Sequence, residues 1–122
     1  MKAMILLVAA LIAGAAQAAE PSAMAKKEIQ YLFSYLESSG CQFLRNGSWY
    51  SAKDASSHLQ QKYKYLLNKG MISTAESFIE QGATNSSMSR KPYRVRCGSD
   101  GKIEASGPWF IAELAKYRQS GK

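Results

Sequence analysis

The sequence predicts an α+β domain in which a small antiparallel sheet of two hairpins is covered by about four helices and fastened by one disulfide bond. Apolar residues recur at helical spacing in four separate segments, and two pairs of short strand-like segments are each joined by a tight turn. Strands and helices do not alternate in repeating βαβ units, so an antiparallel sheet with helices packed on it is favoured over a parallel one.

The first helix is expected from Ala23 to about Ser39. Ser22 can accept a hydrogen bond from the first turn, and Gly40 occupies the position where helices commonly end. The apolar residues of the segment fall on one helical face; they are Ile29, Leu32, Phe33 and Leu36.

A hairpin is expected directly after this helix. Residues 41–45 are mostly aromatic, aliphatic or cysteine side chains, and Asn46-Gly47 is typical of a two-residue β-turn. Residues 48–50 then form a short return strand.

Two further helices follow the hairpin. Ser51 and Asp54 resemble a capping box, and the apolar stripe after them ends before Gly70. Residues 73–76, Ser-Thr-Ala-Glu, repeat the capping pattern and predict the start of a shorter helix that ends at Gly82.

The last third of the chain predicts a second hairpin and a fourth helix. After a polar loop at residues 84–92, apolar and basic residues alternate over 93–97, as in a half-buried strand. A turn at residues 98–101 leads into a weaker strand at 102–105, and Pro108 suits the first turn of the final helix.

The N-terminus carries the features of a secretory signal peptide at residues 1–18. A basic start at Lys2 precedes an apolar run over residues 3–16 and a small-x-small cleavage site, so cleavage is expected after Ala18 or Ala19. The run is shorter than the roughly 20 residues that a membrane-spanning helix needs. The sequence thus predicts a periplasmic protein that does not span a membrane and has one α+β domain at residues 19–122. The protein is basic, because the full chain has a net charge of +7.

The chain contains two cysteines, Cys41 and Cys97. In an oxidising compartment a structural disulfide between them is expected, because closing so long a loop strongly restricts the unfolded chain. A redox pair or a zinc site is the alternative, but there is no C-x-x-C motif and His58 is the single histidine. No metal site and no cofactor are therefore predicted.

Several short motifs occur in a fixed order in the middle of the chain: Phe43-Leu44-Arg45-Asn46-Gly47, Tyr50, Ala55, His58-Leu59, Lys62-Tyr63, residues 73–80, Ser86-Ser87 and Lys91-Pro92-Tyr93. Together they resemble the YfeK-like family of small exported bacterial proteins, a family of unknown function. The resemblance spans residues 43–95 and implies a Gram-negative periplasmic setting, with no reaction attached. Arg90 departs from it, because the family usually has glycine there. The polar residues that the resemblance singles out are Arg45, Asn46, His58, Ser86, Ser87 and Tyr93.

His58 is the candidate general base, because any mechanism that uses imidazole must use it. Asp54 lies one helical turn before it, and Ser86 or Ser87 would complete a hydrolase-like triad. No G-x-S-x-G motif supports this hypothesis. The alternative is a structural or surface role for His58 at the edge between the apolar and solvent-facing sides of its helix.

The candidate binding residues are Arg45, Asn46, Trp49, Tyr50, Tyr93, Arg94 and Arg96. They combine cations and aromatic rings on or near the first hairpin, and such side chains contribute most of the binding energy in many interfaces. If the strands at 41–45 and 93–97 pair, Arg45, Arg94 and Arg96 are expected to share one cationic patch. The alternative is that Asn46 only forms a turn and Trp49 only packs the hairpin onto a helix.

These features predict a non-enzymatic periplasmic binding module that recognises another periplasmic or envelope protein through the hairpin; an inhibitor or immunity protein would be one example. A small hydrolase using His58 is one alternative. A module that binds anionic envelope lipid or polymer is the other, since the chain is basic. Nucleic acid is not an expected partner, because export separates the protein from it and no recognition motif is present.

Overall fold

A computed structural model describes residues 20–98 and 101–120. The predicted signal peptide at residues 1–18 and the centre of the predicted 98–101 turn lie outside these ranges. Within them the chain forms four helices and four strands in the predicted order: α1 (Ala23–Ser38), β1 (Gln42–Arg45), β2 (Ser48–Ser51), α2 (Ala52–Asn68), α3 (Ala75–Gly82), β3 (Arg94–Cys97), β4 (Lys102–Ala105) and α4 (Ser106–Ser120). None of these helices has the length and apolar composition needed to cross a bilayer.

The first two helices begin at the serines that the sequence indicates. The Ser22 hydroxyl accepts a hydrogen bond from the Ala25 amide at 3.0 Å, and the Ser51 hydroxyl accepts one from the Asp54 amide at 3.1 Å. Each hydroxyl satisfies an amide that would otherwise lack a partner in the first helical turn. After α1, Gly40 has a φ of +72°, a left-handed conformation that glycine adopts without steric cost.

The third helix starts one residue later than the sequence pattern suggests. The Thr74 hydroxyl accepts from the Ser77 amide at 3.0 Å, and the Ser77 hydroxyl accepts from the Thr74 amide at 2.9 Å. The capping box is therefore Thr74 with Ser77, and the expected pairing of Ser73 with Glu76 is wrong. Glu76 instead accepts hydrogen bonds from Arg118 on α4, a distant partner that local spacing does not reveal.

The two predicted hairpins join into one antiparallel sheet with the strand order β2-β1-β3-β4. The central strands β1 and β3 pair with Phe43 opposite Val95, and the β1–β2 hairpin pairs Phe43 with Tyr50. Cys41, directly before β1, and Cys97, the last residue of β3, form the predicted disulfide. The α+β class and the disulfide are thus confirmed.

The sheet has one face against the helices and one face toward solvent. Side chains alternate along each strand, so Phe43 and Val95 lie on the helix-covered face, where both are almost fully buried. Trp49, Arg94 and Ile103 lie on the other face, and Ile103 is 49% exposed there. The helices and the segment between α2 and α3 contribute the rest of the core. Its largest fully buried side chains are Ile29, Leu32, Leu36, Leu59, Ile72, Phe78, Ile79, Phe110 and Leu114.

Arg90, at the position where the family resemblance predicts glycine, has a φ of +66°. This left-handed conformation crowds a Cβ atom but not glycine. We therefore expect Arg90→Gly to raise the free energy of unfolding by about 0.5–1 kcal/mol, the relieved strain less the entropy that glycine adds to the unfolded chain. Urea denaturation of Arg90→Gly and Arg90→Ala tests this. Equal gains in both variants would contradict a backbone cause, because alanine keeps the Cβ atom.

Candidate functional site

A cavity opens where the β1–β2 hairpin meets α2. Its volume is about 170 Å³, close to that of an apolar protein cavity that holds a benzene molecule. It can therefore accommodate one side chain or a small molecule of about that size. We call this space the hairpin cavity; its lining residues are Phe43, Arg45, Tyr50, Asp54, Ala55, His58, Leu59 and Tyr93.

Strand and helix periodicity together explain this lining. Phe43 and Arg45 are two positions apart on β1 and so share the helix-covered face, while Tyr50 stands opposite Phe43 on β2. On α2, residues 54 and 55 precede residues 58 and 59 by one turn and lie on the same side of the helix. The hairpin and α2 are consecutive in the chain, so 17 residues, 43–59, supply every lining residue except Tyr93.

A polar cluster lies beside the hairpin cavity. The ammonium Nζ of Lys62 donates to the Tyr93 hydroxyl at 3.1 Å and to the Asn85 carbonyl oxygen at 2.8 Å. The same hydroxyl lies 3.3 Å from Nε2 of His58. Because Lys62 follows His58 by four residues on α2, one helical turn brings the ammonium and the imidazole to the same tyrosine.

Burial and the charge of Arg45 change the acidity of this cluster. Burial lowers the pKa of His58, and the positive charges of Arg45 and Lys62 lower it further. Burial and Arg45 also lower the pKa of Lys62, from 10.5 to about 8. Burial raises the pKa of Tyr93, against the opposing effect of Arg45. At neutral pH the imidazole is therefore mainly uncharged and the phenol keeps its proton.

The hydrogen bond between His58 and Tyr93 can form in two ways. Lys62 has only donors, so the Tyr93 oxygen accepts from it. The Tyr93 hydroxyl can then either donate its proton to Nε2 of His58 or accept a second hydrogen bond from it. In neutral imidazole one nitrogen accepts and the other carries the proton. The contact between Nε2 and the Tyr93 hydroxyl therefore fits either tautomer of the neutral ring.

The weak catalytic candidates are not joined by hydrogen bonds into a triad. Asp54 and His58 both line the hairpin cavity, but in residues 20–98 and 101–120 neither Asp54 nor a serine bonds to the imidazole. Ser86 is buried, and its hydroxyl accepts from the Ser89 amide at 3.4 Å. Ser87 is exposed. In that same part of the chain, no group of three or more His, Cys, Asp or Glu residues is placed to hold a metal ion.

The candidate binding residues divide between the two faces of the sheet. Arg45, Tyr50 and Tyr93 surround the hairpin cavity, whereas Arg94 and Arg96 pair with Leu44 and Gln42 on the solvent face. The expected single patch of Arg45, Arg94 and Arg96 is therefore wrong, because residues one position apart in register point to opposite faces.

The solvent face of the sheet carries its own aromatic–cation pair. The guanidinium of Arg96 lies 3.9 Å from the centre of the Trp49 ring, and two hydrogen bonds to the Gln42 side chain hold it there. Trp49 thus packs against an arginine of the sheet rather than against α2. At the hairpin tip, Asn46 has a φ of +50° and accepts a hydrogen bond from the Ser89 hydroxyl at 2.6 Å, which connects the tip to the serine-rich loop.

The sequence analysis named Lys62, Phe43 and Leu59 in the family-like motifs but did not place them among the candidate site residues. The spacing of four residues between His58 and Lys62 is a signal that both face the same way. Their common partner Tyr93 is more than 30 residues away in the chain, so only the packing of the loop before β3 onto α2 reveals the cluster.

Comparisons with known proteins agree with the family resemblance. The model of a family of unknown function, DUF5329, matches residues 23–118. Over 51 residues the chain is 43% identical to the uncharacterized protein YfeK of Salmonella typhimurium strain LT2, a match that covers 42% of this chain and 41% of that protein. The chain thus aligns with less than half of this relative. No solved structure matches.

Proposed function

The chain belongs to the DUF5329 family of unknown function, and from the geometry of its cavity we propose that it is a non-enzymatic periplasmic binding module that recognises another protein. The hairpin cavity is the observation that carries this proposal. It receives one anchoring side chain or chain end of the partner, while the β1–β2 hairpin contacts the partner around it.

The composition of the cavity suits such an anchor. Phe43, Ala55 and Leu59 offer buried apolar surface, and Tyr50 and Tyr93 add aromatic rings with polar ends. Arg45 lies with its guanidinium carbon 5.4 Å from the centre of the Tyr50 ring. Interfaces concentrate their energy where one residue fills a desolvated pocket lined by aromatic and arginine side chains.

Crosslinking tests the proposal with a matched pair of variants. The oxidised protein is returned to its own periplasmic extract, mildly crosslinked and isolated, and its partners are identified by mass spectrometry. Arg45→Glu reverses a charge at the hairpin cavity, whereas Arg94→Glu makes the same change on the other face of the sheet. We expect one partner to be lost from Arg45→Glu and kept by Arg94→Glu.

Other results would contradict the proposal in defined ways. A partner lost only from Arg94→Glu would move recognition to the solvent face, and equal capture by both variants would remove the cavity from the interface.

N-terminal sequencing of the isolated protein tests the export step, since a periplasmic protein should start at Ala19 or Glu20.

Binding of anionic envelope lipid or polymer is the second candidate, supported by the solvent face of the sheet. There Arg94 is exposed, the guanidinium of Arg96 stacks on Trp49, and the exposed Ile103 lies opposite Arg96 on β4. Such a surface combines cations with an aromatic ring suited to a headgroup region. Sedimentation with anionic vesicles that is lost from Arg94→Glu and kept by Arg45→Glu, and that weakens steeply with salt, would favour this candidate.

A further inference from the structure

We propose that the group bound in the hairpin cavity is a carboxylate carried on an aromatic or branched apolar body, with the carboxylate at Arg45 and the body against Phe43 and Leu59. The inference rests on the proposed binding function and adds the chemistry of the bound group. The size of the cavity, the state of Arg45 and the balance of charge around it support this assignment.

The apolar part of the assignment follows from size and surface. Phe43 and Leu59 are 3% and 2% exposed. Both therefore present apolar surface to the cavity at a depth that is almost closed to solvent. The volume of about 170 Å³ matches one ring or one branched aliphatic group. Removing such a group from water is favourable in proportion to the apolar area that is buried.

The carboxylate part follows from Arg45. Arg45 is half-buried, its guanidinium carbon lies 5.4 Å from the centre of the Tyr50 ring, and among the described residues no carboxylate lies within 4.0 Å of its guanidinium nitrogens. Arginine is the side chain best suited to hold a carboxylate, because its planar donors match the two oxygens. A bound carboxylate would give this guanidinium an acidic partner.

The surrounding charges favour an anion at the same place. Arg45 is close enough to lower the pKa values of both His58 and Lys62, so its positive field extends along α2. Asp54 is the one acidic residue of the lining; it is exposed and is not among the groups that shift those two pKa values. Arg45 is therefore the lining residue whose charge acts on these two groups, and its guanidinium is the place in the cavity that favours an anion.

Two sources present this chemistry: the C-terminal residue of a partner protein and a free small acid. The probes are phenylacetate and the uncharged phenylacetamide, which have almost the same shape. NMR titration of the full, oxidised protein follows the resonances of Tyr50, His58 and Tyr93. We expect phenylacetate to bind at millimolar concentration or below, about tenfold tighter than phenylacetamide, and to raise the pKa of His58, because a nearby anion stabilises the imidazolium.

Variants locate the carboxylate. Arg45→Gln is expected to remove the preference for phenylacetate over phenylacetamide, whereas Arg45→Lys keeps part of it because the cation remains. Arg94→Gln, the matched change on the solvent face, keeps the full preference. If Arg45→Gln does not fold, the comparison of Arg45→Lys with Arg94→Lys decides the matter, since only the former is expected to weaken the preference.

Two results would overturn the inference. Equal binding of phenylacetate and phenylacetamide would show that the cavity selects an apolar body without regard to charge, and partner recognition through the cavity would stand. No change at Tyr50, His58 or Tyr93 with either probe at about 20 mM would exclude a ring-sized ligand, while partner capture that depends on Arg45 would still preserve the proposed function.

Peptides separate the two sources. A tripeptide that ends in phenylalanine with a free carboxylate is compared with its C-terminal amide. If the acid binds more tightly than phenylacetate and the amide does not bind, the source is a chain terminus. If phenylacetate binds and neither peptide does, the source is a small free acid. Both results retain the carboxylate at Arg45.

Discussion

Replacing Cys41 and Cys97 together by alanine is expected to lower the free energy of unfolding by about 4 kcal/mol. The two cysteines are 56 positions apart, and opening a loop of that size releases a large part of the unfolded chain from constraint. The loop contains β1, β2, α2, α3 and β3, so it includes every residue that lines the hairpin cavity.

Thermal unfolding followed by circular dichroism measures this effect. For a domain of this size the loss corresponds to a decrease in melting temperature on the order of 20 °C. Wild-type protein treated with a reductant should unfold at nearly the same temperature as the double variant, and the reductant should not change the variant. An equal melting temperature for the double variant and the oxidised wild type would show that the bond does not stabilise the fold by constraining the unfolded chain.

Replacing Arg118 by methionine is expected to lower the free energy of unfolding by about 2–3 kcal/mol. Arg118 on α4 donates to both oxygens of Glu28 on α1, at 2.9 and 3.0 Å. The Glu28 side chain is 8% exposed, so the variant leaves a buried carboxylate without these donors. The cost stays below that of a fully buried pair because the Arg118 side chain is 42% exposed.

A double-mutant cycle separates the pair from its parts. The combined variant Arg118→Met with Glu28→Gln should lose less stability, measured in urea, than the sum of the losses of the two single variants. In the combined variant the buried carboxylate of Glu28 is gone, so removing Arg118 no longer leaves a buried charge without a partner. Glu76, which is 49% exposed, provides the matched control. Glu76→Gln should cost less than about 1 kcal/mol, and a loss as large as that of Arg118→Met would show that burial of Glu28 is not the cause.

The contribution of Glu76 should depend on pH. Hydrogen bonds from Arg118 hold the pKa of Glu76 below its ordinary value of 4.5. The folded protein therefore keeps this carboxylate ionised at pH values where the unfolded chain has begun to protonate it. The stability that it adds is present above pH 4.5 and is lost as the pH falls through the lowered pKa, so wild type and Glu76→Gln should converge in acid.

The fold was largely predictable because its elements depend on local chemistry. Caps at Ser22 and Ser51, the turn at Asn46-Gly47 and the apolar spacing of each helix act within a few residues. The start of α3 was predicted one residue early for the same kind of reason: both Ser73 and Thr74 are good caps, and the choice between them depends on which partner Ser77 takes.

The site was less predictable because residues of the first hairpin and α2 meet Tyr93, which is more than 30 residues further along the chain. The sequence drew attention to Arg45, His58 and Tyr93 separately, through residue type and family resemblance. Pairing of β1 with β3 and packing of α2 bring these three to one cavity. The same pairing places Arg94 and Arg96 on the opposite face of the sheet. These two arginines therefore do not form one cationic patch with Arg45, although they lie on the neighbouring strand.

By itself the sequence determined the α+β class, the order of helices and strands, the disulfide and the family, since periodicity, caps, turns and the cysteine count express short-range physics. The tertiary structure alone decided which polar residues share an environment. Whether Arg45 faces α2 or solvent depends on strand register, and whether Lys62 titrates near pH 8 depends on its burial beside Tyr93 and Arg45. Electrostatic fields and desolvation act through space rather than along the chain, and for that reason the chemistry of the hairpin cavity appears only in the folded protein.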